Sequence, residues 1–155
     1  MMIRLLRLAY LLMRGWGWLV RPVVLGVRMI LVQDGEIVLV RHTYMSGWHF
    51  PGGSIQSGET PLEAAAREVR EEVGAELLEP PRLVGVFSYF GGGNSDHVTV
   101  YLCQKFRLGE ATDRWEIAER ESFRLDALPP QLGLSARKIL RELRDLPVQD
   151  GQTAS

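Results

Sequence analysis

Gly53 to Ala75 reads GSIQSGETPLEAAAREVREEVGA. Both ends of a helix are written into it. Thr60 is a good N-cap, Pro61 stands at the first helical position, and Glu63 completes a capping box with Thr60. Gly74 is placed to take the left-handed turn that ends a helix. A helix is therefore predicted over Pro61–Val73. At about 100° per residue, Leu62, Ala66, Val69 and Val73 share one stripe, which is expected to face a core. Glu68, Glu71 and Glu72 form a second face roughly 130° away. Ala64 falls on that face and is expected to leave room for a ligand. Carboxylates at i, i+3 and i+4 repel one another, whereas a hard divalent cation turns the repulsion into binding. Arg67, four residues before Glu71, can orient or partly neutralise the cluster. Acidic helix faces are commonly just solvated, so the carboxylates alone do not decide for metal.

Upstream, Phe50-Pro51-Gly52-Gly53 turns the chain sharply. Glycine lets backbone approach a ligand closely, which makes Gly53 a candidate substrate contact. Val23 to Val32 is rich in β-branched residues and predicts a strand. Gln33-Asp34-Gly35-Glu36 predicts a turn, with Ile37 to Arg41 returning as the second arm of a hairpin. That arm is apolar on both faces, so the sheet is expected to be covered twice. Arg41, followed by His42 and Tyr44, lies just before the glycine turn, within reach of a substrate. The plainer reading of these three is a solvated strand end.

Downstream, Leu83 to Phe90 predicts a strand and Gly91 to His97 a flexible loop, read either as a substrate-facing lid or as a simple turn. His97 is a candidate for phosphate or sugar, weighed against a structural histidine at a strand start. Val98 to Phe106 predicts a long strand and Trp115 to Phe123 another. Ser135 is placed to cap a last helix to Leu146, with Ile139, Leu140, Leu143 and Leu146 inward.

With 155 residues, the chain is long enough for one domain with a substantial core. A net charge of -1 gives no electrostatic reason to expect nucleic-acid binding. The single Cys103 excludes an intrachain disulfide, reads as a buried structural thiol, and suits a reducing cytoplasmic location. Residues 1–21 form an apolar leader interrupted by Arg4, Arg7, Arg14 and Arg21, so no run reaches the ~20 residues needed to cross a bilayer. An amphipathic helix is expected there, ending near Arg14. It either packs on protein, its own domain or a second copy in a homodimer, or makes a peripheral contact with an anionic membrane through Trp16 and Trp18. The expected division is leader 1–21, domain 22–147 and a disordered tail 148–155.

Gly53, Glu59, Arg67-Glu68-Val69, Glu71-Glu72 and Gly74 resemble the Nudix box at every charged and glycine position. The last position departs, being Ala75 where that family carries a larger aliphatic residue. The resemblance implies an α/β fold, an α/β/α sandwich around a mixed β-sheet. It also implies a pyrophosphohydrolase that cleaves the diphosphate linkage of a nucleoside diphosphate joined to another moiety, by attack of an activated water on phosphorus. Mg2+ is the implied cofactor, with Mn2+ as a substitute. Carried over by position, Glu68 and Glu72 would be principal metal ligands, with Glu71 assisting and the Gly52 carbonyl adding a backbone ligand. Glu59 and Arg67 would orient the cluster, and Glu71 or Glu72 would be the general base. Glu116, ahead of Glu119, sits where such proteins often supply a further carboxylate. The alternative is a catalytically silent Nudix-like nucleotide-binding domain, expected to have lost box carboxylates, of which none is missing here. Phe90 to Gly93 carries neither the proline that resembles ADP-ribose hydrolases nor the tyrosine that resembles dinucleoside polyphosphate hydrolases, so the substrate stays open.

Overall fold

A computed structural model describes residues 8–12, 23–91, 94–112 and 115–145. The apolar run after Pro22 forms β1 (Val23–Gln33), which turns through Asp34 and Gly35 into β2 (Glu36–His42). A long loop then leads to the helix α1 (Pro61–Val73). After it come β3 (Ala75–Leu77), β4 (Arg82–Gly91), β5 (Asn94–Cys103), β6 (Phe106–Leu108), β7 (Ile117–Arg124) and α2 (Leu134–Asp145).

Among the described residues, five strands make one sheet in the order β4-β5-β1-β2-β7, and β3 pairs with β6 beside it. β1 runs parallel to β5, with Val27 opposite Thr99, while β2–β7 and β4–β5 are antiparallel. The sheet is therefore mixed. Its two faces carry two cores, as the apolar-on-both-sides pattern of β2 requires. Val27, Met29, Leu31, Val38 and Val40 pack with Ala64, Ala65, Val69 and Val73 of α1. Ile30, Ile37, Leu39 and Val100 pack on the other face with Phe50 and with Ala136 and Ile139 of α2. This is the α/β/α sandwich that the resemblance implies.

Helix α1 has the predicted bounds. The Thr60 side chain accepts from the Glu63 amide, the Glu63 carboxylate accepts from the Thr60 amide at 2.8 Å, and Gly74 caps the other end at φ 65°. Its buried face is rotated from the predicted one. Leu62 is 41% exposed, and Ala64, Ala65, Val69, Glu72 and Val73 are buried. Two consecutive alanines let the helix lie close to the sheet, which carries Glu72 inward and leaves Leu62 at the outer edge. Ala64 therefore belongs to the core and leaves no space for a ligand.

Other boundaries differ too, and β7 starts at Ile117 rather than at the predicted Trp115, which leaves Glu116 just ahead of it. The stretch predicted as a loop from Gly91 is a hairpin, because Gly91 pairs with Asn94 and Ser95 to His97 already lie in β5. The predicted strand to Phe106 ends at Cys103, and Phe106 opens the short β6 instead. Ser135 lies inside α2, whose first turn is closed by the Arg137 amide donating to the Gly133 carbonyl at 3.0 Å. Cys103 is buried and its thiol donates to the Lys105 carbonyl at 3.3 Å, a structural placement. Residues 8–12 of the leader are helical, while the rest of the leader, Leu146 and the tail 148–155 lie outside the described residues. Among the described residues, no helix is long and apolar enough to cross a membrane.

Candidate functional site

The glycine turn is fastened to the sheet before it meets the helix. Val27 donates to the Gly53 carbonyl and Met29 to the Pro51 carbonyl, both at 2.9 Å. Gly52 takes φ 142°, and a Cβ there would stand 2.2 Å from the Val27 carbonyl oxygen. No side chain fits that position. Its amide, so held, donates to Glu72 Oε2 at 2.8 Å.

Glu72 is 4% exposed. Burial is the main reason its carboxyl pKa is pushed up to about 8; the Gly52 hydrogen bond opposes this, and the charges of Glu68 and Glu116 add to it. Its other oxygen, Oε1, lies 3.8 Å from Nδ1 of the buried His42. Glu68 is also shifted upward, first by burial, with Arg67 opposing. Its carboxylate lies directly over Gly53, where an added Cβ would come within 2.4 Å of Oε1.

Arg67 is the hub of the outer layer. Its Nε donates to Glu59 Oε1 at 2.6 Å, Nη2 to Glu59 Oε2 at 3.0 Å and to the Ser54 carbonyl at 3.2 Å. Nη1 reaches Glu68 Oε1 at 2.8 Å and Glu71 Oε2 at 3.2 Å. Through these bonds the guanidinium holds the Glu59 carboxyl at about 2, well below the usual range. The loop at Glu59 and the helix face are thereby locked together by a forked cation, which a lysine could not imitate.

The structure thus brings Gly52, Gly53, Glu59, Arg67, Glu68, Glu71 and Glu72 into one place. Their side chains do not all converge, however. Glu72 turns inward to Gly52, Glu68 turns to Arg67, and the Glu71 side chain is 40% exposed. Among the described residues, no three acidic, histidine or cysteine groups are close enough to cage an ion as they stand. The donor chemistry nevertheless fits a hard divalent cation. A buried carboxylate beside further negative charge is relieved by a cation, and oxygen ligands are what such an ion prefers. Arg67 engages Oε1 of Glu68 and Oε2 of Glu71, so the other oxygen of each carboxylate is not held by it.

Outside the box the predicted residues separate. Glu116 bears electrostatically on both Glu72 and Tyr44, and its carbonyl accepts from the Thr43 amide at 2.8 Å. Glu119 instead pairs with Arg41. Arg41 also lies over the Trp48 ring, 5.5 Å from its centroid, so both of its visible partners are structural. His97 shares a hydrogen bond with Ser88 Oγ at 2.9 Å, on the β4–β5 pair. A cleft of about 330 Å³ opens beside Glu72, lined by Gly109, Glu110, Ile117 and Arg120. Arg120 Nη1 donates to the carbonyls of Val73 and Gly109, tying the end of α1 to the chain that borders this cleft.

Sequence reading missed Arg28. Its charge bears on Glu68 and Glu72 as well as on Tyr44 and His49. The signal was a lone cation in the otherwise apolar β1.

Comparison with known proteins follows the same lines. Among curated relatives, the RNA pyrophosphohydrolase of Xanthomonas oryzae pv. oryzae (strain MAFF 311018) is 44% identical over 57 residues, 37% of this chain and 27% of the relative. That of Xylella fastidiosa (strain M12) is 42% identical over 57 residues, 37% of this chain and 30% of the relative. The chain spans less than a third of the length of these relatives. The crystal structure of a MutT NUDIX hydrolase from Burkholderia pseudomallei superposes with a TM-score of 0.71 at 26% identity, covering 79% of this chain and 98% of that one. The family model described as NUDIX domain matches residues 21–143, and the chain belongs to that family.

Proposed function

We propose that this protein is a divalent-metal-dependent pyrophosphohydrolase acting on a nucleoside diphosphate linked to another moiety, with Mg2+ as the natural ion and Mn2+ as a substitute. The observation that carries the reading is the buried Glu72, fastened by the Gly52 amide beneath Glu68. A carboxylate kept ionisable in so dry a place is a poor choice for stability alone. It becomes useful once a cation sits over it.

Glu68 and Glu72 would hold the ion, with the Gly52 carbonyl and Glu116 completing the protein's share. Bound there, the ion would neutralise diphosphate oxygens and lower the pKa of a coordinated water. Glu71, the most exposed of the three box carboxylates on α1, is placed to accept the water's proton. Arg67 and Glu59 set the rotamers of Glu68 and Glu71. Gly53 leaves room for the Glu68 carboxylate and is proposed as a backbone contact to a phosphate beside it. Arg41 and His97 are proposed as outer contacts to the substrate at most, since each is already engaged by another side chain. The 22–147 segment would be the catalytic unit, working in the cytoplasm.

A panel of diphosphates tests the reading: ADP-ribose, nucleotide sugars, dinucleoside polyphosphates, and ordinary and oxidised nucleoside triphosphates, each with Mg2+ or Mn2+. Metal-dependent release of a nucleoside monophosphate or of pyrophosphate from at least one member is expected. Failure of every member while Mn2+ is bound would move the protein to the silent nucleotide-binding class.

A further inference from the structure

Residues 23–32 read VVLGVRMILV, one charge in an apolar run. Alternation along β1 sends Val27 and Met29 under α1 and puts Arg28 on the opposite face with Ile30. Arg28 lies against the glycine turn, its Cα 2.9 Å from where a Gly52 Cβ would stand. Among the described residues, its one side-chain hydrogen bond runs from Nη1 to the Val27 carbonyl at 2.9 Å. The Nε–H is buried and meets no acceptor among them.

A guanidinium offers five N–H donors and stays charged throughout the ordinary pH range. Burying one of those donors unmet disfavours the fold. Apolar residues of similar size would fill the position without that penalty. The neighbours are also suited to more than packing. Glu68 and Glu72 feel the Arg28 charge from α1, while Tyr44, His49 and Tyr89 feel it from the loop after β2 and from β4. The rings of Tyr44 and His42 lie 5.3 Å apart and those of His42 and His49 5.8 Å, and the Arg28 charge bears on this ring group as well as on the carboxylates.

We propose that Arg28 is an anion subsite, its Nη2 donors taking oxygens of the phosphate next to the one that faces Glu68 and Glu72. This rests on the diphosphate reading above. The guanidinium stays charged, and its Nη2 donors, unlike the buried Nε, are open to an anion. The competing role is electrostatic ballast for Glu68 and Glu72. The two roles differ in what they do to a diphosphate and to a bare metal ion.

Methylenediphosphonate, which is not hydrolysed, separates them. It is titrated calorimetrically into the full chain at saturating Mg2+, for wild type, Arg28→Met and Arg28→Lys. Mn2+ is titrated alone into the same proteins, and their melting is followed. Arg28→Met is expected to weaken diphosphonate binding by about tenfold or more, with Lys recovering part of it. Mn2+ affinity should stay within about twofold, and Tm should not fall, because an unmet donor has been removed. If Arg28→Met does not fold, Arg28→Gln is read by the same criterion. Unchanged diphosphonate affinity, absence of diphosphonate binding by wild type, or a loss matched by an equal loss of Mn2+ affinity would each overturn the subsite. A silent substrate panel together with Arg28-dependent diphosphonate binding would remove the hydrolase reading and leave the subsite standing.

Discussion

The Gly52 amide and Glu72 Oε2 are 2.8 Å apart, although 20 residues separate them in the chain. This bond joins the turn that follows the hairpin to the helix that follows the turn. It also explains why α1 is rotated to bury Glu72 rather than Leu62. A carboxylate that must reach a backbone amide against the sheet needs small neighbours, and Ala64 and Ala65 supply them.

The two adjacent glycines should fail in different ways. Gly52→Ala places a Cβ against backbone at 2.2 Å in a left-handed conformation, so it is expected to cost several kcal/mol and lower Tm strongly. Gly53→Ala meets the carboxylate end of the Glu68 side chain rather than backbone, at 2.4 Å from Oε1, so Tm should change little while Mn2+ affinity falls. Thermal melting beside a Mn2+ titration checks both, and equal loss of Tm in the two variants would contradict the distinction.

Two box glutamates should separate binding from proton transfer. Glu72→Gln is expected to lose at least ~100-fold in turnover together with metal affinity. Glu71→Gln should lose kcat with Mn2+ affinity largely kept. Electron paramagnetic resonance of bound Mn2+ alongside kcat gives the comparison. Intact activity of Glu72→Gln would contradict its assignment.

Arg67→Lys keeps the charge and removes the fork. Four acceptor groups, Glu59, Glu68, Glu71 and the Ser54 carbonyl, depend on that one guanidinium. Turnover is expected to fall by about tenfold or more, since an ammonium cannot span them. Full activity of the lysine variant would show that charge alone suffices.

Removing metal should expose the strain of the buried acid. The folded Glu72 pKa of about 8 lies above the ordinary 4.5, so the native state binds this proton more tightly than the unfolded chain. Its contribution is therefore fully favourable below about 4.5 and is lost as pH rises through about 8. In EDTA, wild-type Tm should fall relative to Glu72→Gln between about pH 5 and about pH 8. Glu59, held near 2, acts in the opposite sense and at lower pH, losing its stabilisation as pH falls below about 4.5. Parallel Tm profiles for the two proteins would contradict the shift at Glu72.

What the sequence disclosed follows the range of the forces involved. The caps of α1 are local, set within three residues of each end, and were legible at Thr60, Glu63 and Gly74. The doubly covered sheet was legible from Ile37 to Val40, where both faces are apolar. The start of β5 was not, because Asn94 to His97 are poor strand formers that pair only through β4 and the parallel β1. β3 and β6 have three residues each, too few for any period. The rotation of α1 depends on how closely it meets the sheet, so Leu62 and Ala64 were assigned to the wrong surroundings. Grouping of the box residues was written in their spacing. The inward turn of Glu72 was not, since it depends on the Gly52 amide, and neither was the pairing of Arg41 with Glu119 across β2 and β7.

The central claim is that the carboxylates of α1 serve hydrolysis of a diphosphate. Running the substrate panel in 18O-labelled water with Mg2+, with products resolved by mass spectrometry, tests it most directly. The account predicts turnover of at least one diphosphate, one 18O in one phosphorus product, no turnover in EDTA, and at least ~100-fold loss in Glu72→Gln. A protein that binds Mn2+ yet turns over no member, or one whose turnover survives both EDTA and Glu72→Gln, would contradict it.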